Sequence, residues 1–241
     1  MIIGIGNARS GTTTLSETLS IANNADIRHE GEVYPWLHLE KAGFEGKLPD
    51  LTGTFPLKWA TQSSKQIKGD INYYLSPFIT TFYKLDPSTK FILLLRNPAN
   101  IIRSHVNLGF PLELIKNLKH PTHILWESNR WVPFGDEIPD RFTRICLYWK
   151  YTNQKIYQQL KTIPQSSYRT IKLEELDKYL PELWSWCNLQ GNLDRAIQEA
   201  KIIHNTRSIA IQQEFPTYEY WTDNQKAIYR EIVIQSGVYY Y

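Results

Sequence analysis

The order of apolar and polar positions already divides this chain into strands and helices. Residues 2 to 5 are a short apolar run beginning at the second residue, the pattern of a buried strand. From Thr12 the period changes. Leu15, Leu19 and Ala22 recur on one helical face, and Glu17 falls off it. A glycine-rich loop therefore joins a first strand to a first helix. Residues 26 to 29 form a short second strand, and "IKGDINYY" (67 to 74) reads equally as strand or loop. "SPFITTFYKLD" (76 to 86) reads as a helix opened by Ser76 as cap and Pro77 in its first turn. "KFILLLR" (90 to 96) has the uninterrupted apolar run of a parallel strand covered on both faces. "NPANIIRSHVNLG" (97 to 109) returns to helix, capped by Asn97, with Pro98 first and Gly109 as its stop.

Farther along, residues 141 to 163 make the longest predicted helix, with Ile145, Trp149, Ile156, Leu160 and Ile163 near one face. "YRTIKL" (168 to 173) is a strand. Residues 174 to 189 are helical, with Pro181 marking a kink or a break. Residues 221 to 237 are a terminal helix stopped by Gly237. Strands alternating with helices predict an α/β class, a P-loop-like three-layer fold with a central, mostly parallel sheet flanked by helices. The 241 residues suit one domain. Segments 33–66 and 110–140 hold no stable period but carry Trp36, Trp59, Phe110, Trp126, Trp131 and Phe134, and are read as variable, acceptor-facing insertions.

Composition narrows the function classes. Hydrophobic residues at 42% and charged residues at 21% are ordinary for a globular chain. A net charge of +3 is too mild for a nucleic-acid binder, and no apolar run approaches a membrane span, so neither nucleic acid nor membrane is an expected partner. The N-terminus lacks the basic and long apolar regions of a signal peptide. Cys146 and Cys187 stand alone, which fits reduced thiols in a cytoplasmic protein, and no metal-ligand spacing appears.

The chemistry concentrates in "GNARSGTTT", residues 6 to 14. Gly6 and Gly11 have the spacing of the phosphate-binding pattern G-x-x-x-x-G-K-[ST], but Thr12 occupies the lysine position and Arg9 sits inside the loop. The plain alternative is a glycine-rich turn with no ligand. Arg9, Ser10, Gly11, Thr12, Thr13 and Thr14 instead offer a guanidinium, hydroxyls and helix-terminal amides to one point, a fit for a multi-oxygen anion. A nucleoside triphosphate site would also need its lysine and an acid for Mg²⁺. The strongest apolar strand ends in Arg96, which favours a second anionic group over a metal.

At these residues the chain resembles the sulfotransferases that use 3′-phosphoadenosine 5′-phosphosulfate (PAPS) and release 3′-phosphoadenosine 5′-phosphate (PAP). "RSGTTTL" is similar to the family's 5′-phosphosulfate loop. "FILLLRNPANIIRSHVN" is similar to its 3′-phosphate element, an arginine, Asp-Pro or Asn-Pro, then a serine eight residues after the arginine, as in Arg96 and Ser104. The two lie about 85 residues apart in the family's order. The resemblance implies PAPS binding by Arg9, Ser10, Gly11, Thr12, Thr13, Thr14, Arg96 and Ser104, with Arg207 as a late replacement for a missing Arg-Lys-Gly loop. It implies in-line transfer to a hydroxyl or amine of a small metabolite or glycan.

A base is then needed. Glu30 lies 21 residues beyond Arg9, the spacing that several family members give a catalytic glutamate, and ranks first. His29 ranks second and Glu32 third. Arg9, which cannot yield its proton, would steady the leaving phosphate by charge. "GDINYYL" departs from the family's Gly-Glu-Lys, since Ile71 follows Asp70, and leaves Lys58 or Lys68 as substitutes for the lysine. Two other readings remain: an atypical P-loop kinase or NTPase, and a nucleotide-binding relative without catalysis.

Overall fold

The computed structural model describes residues 1–30, 64–107, 140–202 and 215–238. Five strands form one sheet in the order β2-β3-β1-β4-β5: β1 (Ile2–Gly6), β2 (Ala25–His29), β3 (Ile67–Ile71), β4 (Lys90–Leu95) and β5 (Tyr168–Lys172). Every pairing is parallel. The central position of β1 follows from its sequence, since all five residues are buried and an apolar run can be covered on both faces only inside a sheet. β2 and β5 mix buried with exposed positions and take the edges.

The chain turns to one side after β1 and crosses to the other with β4. The carboxyl end of β1 therefore lies at the point where the strand order reverses, the usual ligand position in open α/β sheets.

The residues cluster into two compact units, one of residues 1–96 and 155–206, the other of 97–154 and 207–241. In the first, one sheet face (Ile2, Ile27, Ile71, Ile92, Leu94, Ile171) packs on α1 (Thr12–Leu19), α5 (Leu176–Trp186) and α6 (Leu193–Ala200). Ile3, Ile5, Phe91 and Leu93, on the opposite face, are also buried. So are Leu75, Phe78, Ile79 and Phe82 of the 3₁₀ turn Tyr73–Phe78 and of α2 (Ile79–Leu85). In the second unit, α3 (Pro98–Asn107), the first part of α4 (Arg141–Leu160) and α7 (Asp223–Ile232) share an apolar cluster of Ile101, Ile102, Phe142, Ile145, Trp149, Trp221, Tyr229 and Val233.

Several expectations shift in detail. Residues 67 to 71 are strand. The segment from 76 is not a helix capped by Ser76. The 3₁₀ turn begins earlier, capped by the Asn72 side chain, which accepts from the Tyr74 amide (3.0 Å), and the Ser76 hydroxyl is engaged elsewhere. α1 ends at Leu19, so Ala22 joins the core from a turn, bridged to Gly191. α5 runs unbroken through Pro181. Asn97 caps α3 as its sequence suggests, accepting from Ala99 N (2.9 Å), whereas Gly109 lies outside the described residues. α6 is an addition, capped by Asn192, whose side chain accepts from Arg195 N. Among the described residues no helix is long and apolar enough to cross a membrane. Cys146 and Cys187 are buried free thiols, and burial pushes Cys187 up to about 12.

Candidate active site

The loop after β1 is held from below. Ser76 Oγ accepts from Gly6 N (3.1 Å) and donates to Gly6 O (2.9 Å), and all three atoms are buried. A side chain at Gly6 would come within 2.7 Å of the Leu94 carbonyl and 2.8 Å of Ser10 Oγ, so only glycine fits. The turn closes as Ser10 N donates to Asn7 O (3.1 Å). Arg9 takes a left-handed backbone (φ 69°) and so does Gly11 (φ 100°), the N-cap of α1. Alternation of this kind turns successive amides toward one side, an anion-binding concavity. Leu15 N donates to Gly11 O, so Thr12, Thr13 and Thr14 form the first turn of α1, at the positive end of the helix.

A second guanidinium arrives from the neighbouring strand. β4 pairs with β1 up to Gly6↔Leu94, which places Arg96 beside the loop, and its Nη1 donates to Arg9 O (3.0 Å). Burial, then the charge of Arg96, lowers the Arg9 pKa, while Tyr73 and Glu30 act in the opposite sense.

The acids and the imidazole come from the other side of β1. β2 follows β3 to His29↔Ile71, and the Glu30 amide extends the ladder by donating to Ile71 O (3.3 Å). Glu30 then takes a left-handed backbone (φ 48°). His29 Nε2 lies 3.1 Å from Thr12 Oγ1, 3.3 Å from Thr13 Oγ1 and 3.5 Å from Glu30 Oε1. Burial lowers His29 to about 4, so its imidazole is neutral at physiological pH. Burial, with Asp70 as a second cause, raises Glu30 to about 7 against the opposing charge of Arg9. A carboxyl that titrates near neutrality can both accept and return a proton at working pH.

Asp70 is the residue that sequence reasoning passed over. In the sequence it stands out only as a departure from Gly-Glu-Lys. It sits on β3 between Ile3 and Arg28 of the adjoining strands, 1% exposed, accepting from Asn72 Nδ2 (3.4 Å). The available signal was an acid among the apolar positions of a short strand. Lys68 pairs with Asp26, two residues nearer the amino end of β3, and Lys58 lies outside the described residues.

The structure thus gathers Arg9, Ser10, Gly11, Thr12, Thr13, Thr14, Arg96, His29 and Glu30 in the first unit. Ser10 contributes in its own way: its amide closes the turn, and its fully buried hydroxyl has no hydrogen-bond partner among the described residues. Ser104 is half-buried on α3, in the second unit. His105, two helical positions from Arg103, is buried there against Tyr148. Arg207 and Glu32, with segments 33–63 and 110–139, lie outside the described residues. Among the described residues no group of His, Cys, Asp or Glu is arranged to hold a metal ion.

No family model matches the sequence, and no curated protein is significantly similar to it. Solved structures do match the fold. A sulfotransferase domain from the curacin biosynthetic pathway superposes with a TM-score of 0.53 at 15% identity, covering 96% of each chain. A mouse sulfotransferase complexed with PAP superposes with a TM-score of 0.53 at 12% identity, over 98% of this chain and 85% of that one. The fold, an α/β layer arrangement around a parallel sheet, is that of sulfotransferases.

Proposed function

We propose that this chain, acting as one domain, is a PAPS-dependent sulfotransferase that transfers to a hydroxyl or amine of a small metabolite or glycan. One observation carries the reading. Two guanidiniums and the first amides of α1 converge at the end of β1, and a carboxyl that titrates near neutrality stands beside them. The residues fit a phosphosulfate: the amides of Thr12 to Thr14 and the charge of Arg9 offer donors to its oxygens, and no metal is required. Arg96 is assigned to the 3′-phosphate, and Ser104 and Arg207 are kept as further candidates for the nucleotide.

PAPS supplies the sulfuryl group, whose bond to the 5′-phosphate oxygen breaks as its bond to the acceptor atom forms. The protein does the rest. Glu30 takes the acceptor's proton. Arg9 and the helix amides stabilise the charge that collects on the leaving phosphate, a kind of preorganised stabilisation typically worth about 3 kcal/mol per donor. Neutral His29 serves as an uncharged hydrogen-bonding partner, and its depressed pKa makes it a poorer base than Glu30.

Isothermal titration with PAP, 5′-AMP and ATP with Mg²⁺ tests the reading. Metal-independent binding of PAP is expected, weakened at least tenfold for 5′-AMP and in Arg96→Ala. A preference for ATP with Mg²⁺ would put a kinase or NTPase in its place. Binding of PAP with no sulfuryl transfer to any acceptor, and no effect of Glu30→Gln, would leave a nucleotide-binding relative without catalysis.

A further inference from the structure

His29 Nε2 is a single atom facing three oxygens: Thr12 Oγ1 at 3.1 Å, Thr13 Oγ1 at 3.3 Å and Glu30 Oε1 at 3.5 Å. A neutral imidazole nitrogen carries either a hydrogen or a lone pair. In the protein alone a threonine hydroxyl can donate to the lone pair, so both tautomers are accommodated. An anion on the loop changes that. Thr12 and Thr13 stand at the start of α1, and an anion held by their hydroxyls would draw the hydroxyl hydrogens to itself. Both oxygens present lone pairs to Nε2, as an ionised Glu30 does. A neutral imidazole facing three acceptors must place its hydrogen there.

The geometry points to His29 as a positioning residue that reads occupancy of the loop: an anion held by Thr12 and Thr13 sets the imidazole to its Nε2–H form, which donates to the threonine oxygens and turns the positive end of the N–H toward Glu30 Oε1, 3.5 Å away, so that its field favours the ionised carboxylate that takes the acceptor's proton. The inference rests on the proposed PAPS reading and deepens it. Its consequence is electrostatic. The charged groups facing Glu30 are Arg9 from the loop and Asp70 from β3, with His29 on its own strand, and Arg96 and Tyr73 stand next to Arg9. A phosphosulfate near Glu30 would by itself favour the protonated carboxyl, disarming the base as the donor arrives. The imidazole N–H opposes that. Donor binding and readiness of the base are thereby coupled through one side chain.

The test uses PAP and the full chain, with ¹⁵N-histidine NMR and calorimetry in buffers of different ionisation enthalpy. In the PAP complex the Nε2 of His29 should show the protonated, pyrrole-type shift. A lone-pair-type shift on Nε2 would overturn the inference while leaving PAP binding intact. Proton uptake gives a second readout. At pH 7.5 the wild type should take up under about 0.2 proton on binding PAP. His29→Ala, whose Glu30 would rise by about one pH unit against the anion, should take up about half a proton. His29→Gln, which restores a side-chain N–H, should return to the wild-type count. Equal counts in wild type and His29→Ala would overturn the coupling, as would loss of PAP binding in His29→Ala. Failure of the wild type to bind PAP would overturn the PAPS reading itself and the inference with it.

Discussion

Replacing Glu30 by glutamine should stabilise the protein by an amount that grows as pH rises from about 4.5 to about 7 and is level above that. Glu30 is raised from its ordinary 4.5 to about 7 in the fold, by burial first and by Asp70 second. A carboxyl raised on folding binds its proton more tightly in the native state. Its contribution to stability is fully present below about 4.5 and is lost as pH rises through about 7. Above that, keeping the ionised group costs about 3 kcal/mol relative to its neutral form. Glutamine copies the neutral form in size and hydrogen bonding and keeps the same left-handed backbone cost at this position. Glu30→Gln and wild type should therefore agree within about 0.5 kcal/mol at pH 4.5, and the variant should be about 2–3 kcal/mol more stable at pH 8. His29 titrates in the opposite sense. Lowered to about 4, it adds stability as pH rises from about 4 to 6.5, but it is present in both proteins and cancels in the difference to first order. Urea unfolding at pH 4.5, 6, 7 and 8, with m-values compared, reads the effect. A difference that stays flat with pH, or a variant less stable than wild type at pH 8, would show that Glu30 ionises in its ordinary range and would remove the ground for calling it a neutral-pH base.

Two further expectations concern the loop. Ser76→Ala removes both buried hydrogen bonds between its hydroxyl and Gly6; a loss of about 2–3 kcal/mol is expected in denaturant melts, with PAP affinity falling about tenfold, and a loss under 0.5 kcal/mol would contradict the clamp. Gly11→Ala should destabilise for two separable reasons, a left-handed backbone (φ 100°) worth about 1–2 kcal/mol and a methyl group 2.5 Å from Leu173 Cδ2. In a Leu173→Ala background only the steric share should vanish. A full return to the background's stability in thermal melts would show that the backbone conformation carries no cost.

The legible parts of this chain were those in which one short-range signal decides the outcome. β1 and β4 are apolar without interruption, so burial on both faces could be read directly, and Asn97-Pro98 opened α3 as its residue types suggest. Gly6, Arg9 and Gly11 marked the turn between β1 and α1, where Arg9 and Gly11 take left-handed backbones and the helix begins. The misread parts depend on distant partners. Ser76 before Pro77 looks like a helix cap, yet its hydroxyl bonds Gly6, seventy residues away, and Asn72 takes the capping role. Asp70 is invisible as a site residue until β3 is placed between β1 and β2, because only that register brings it beside the end of β2. The spacing from Arg9 ranks Glu30 above His29, but without a physical reason for the order. Burial supplies one that no spacing shows: it disfavours charge on both and so moves an imidazole and a carboxyl in opposite directions.

The same burial explains why strain and like charge collect in one place. Among the described residues only Arg9, Glu30 and Asn188 adopt a left-handed backbone without being glycine, and two of these three are the candidates that would touch donor and acceptor. Each such residue costs on the order of 1 kcal/mol and persists where the surroundings over-determine it. Around them, Arg96 raises the cost of charge on Arg9, and Asp70 does so for Glu30. Neither pairing helps the protein fold. On the proposed reading, a polyanion between the guanidiniums would relieve the first, and a proton arriving on Glu30 from an acceptor would relieve the second. Both costs are borne by the fold, and under that reading binding energy and proton transfer would draw on destabilisation already built into the site rather than on contacts that must be made afresh.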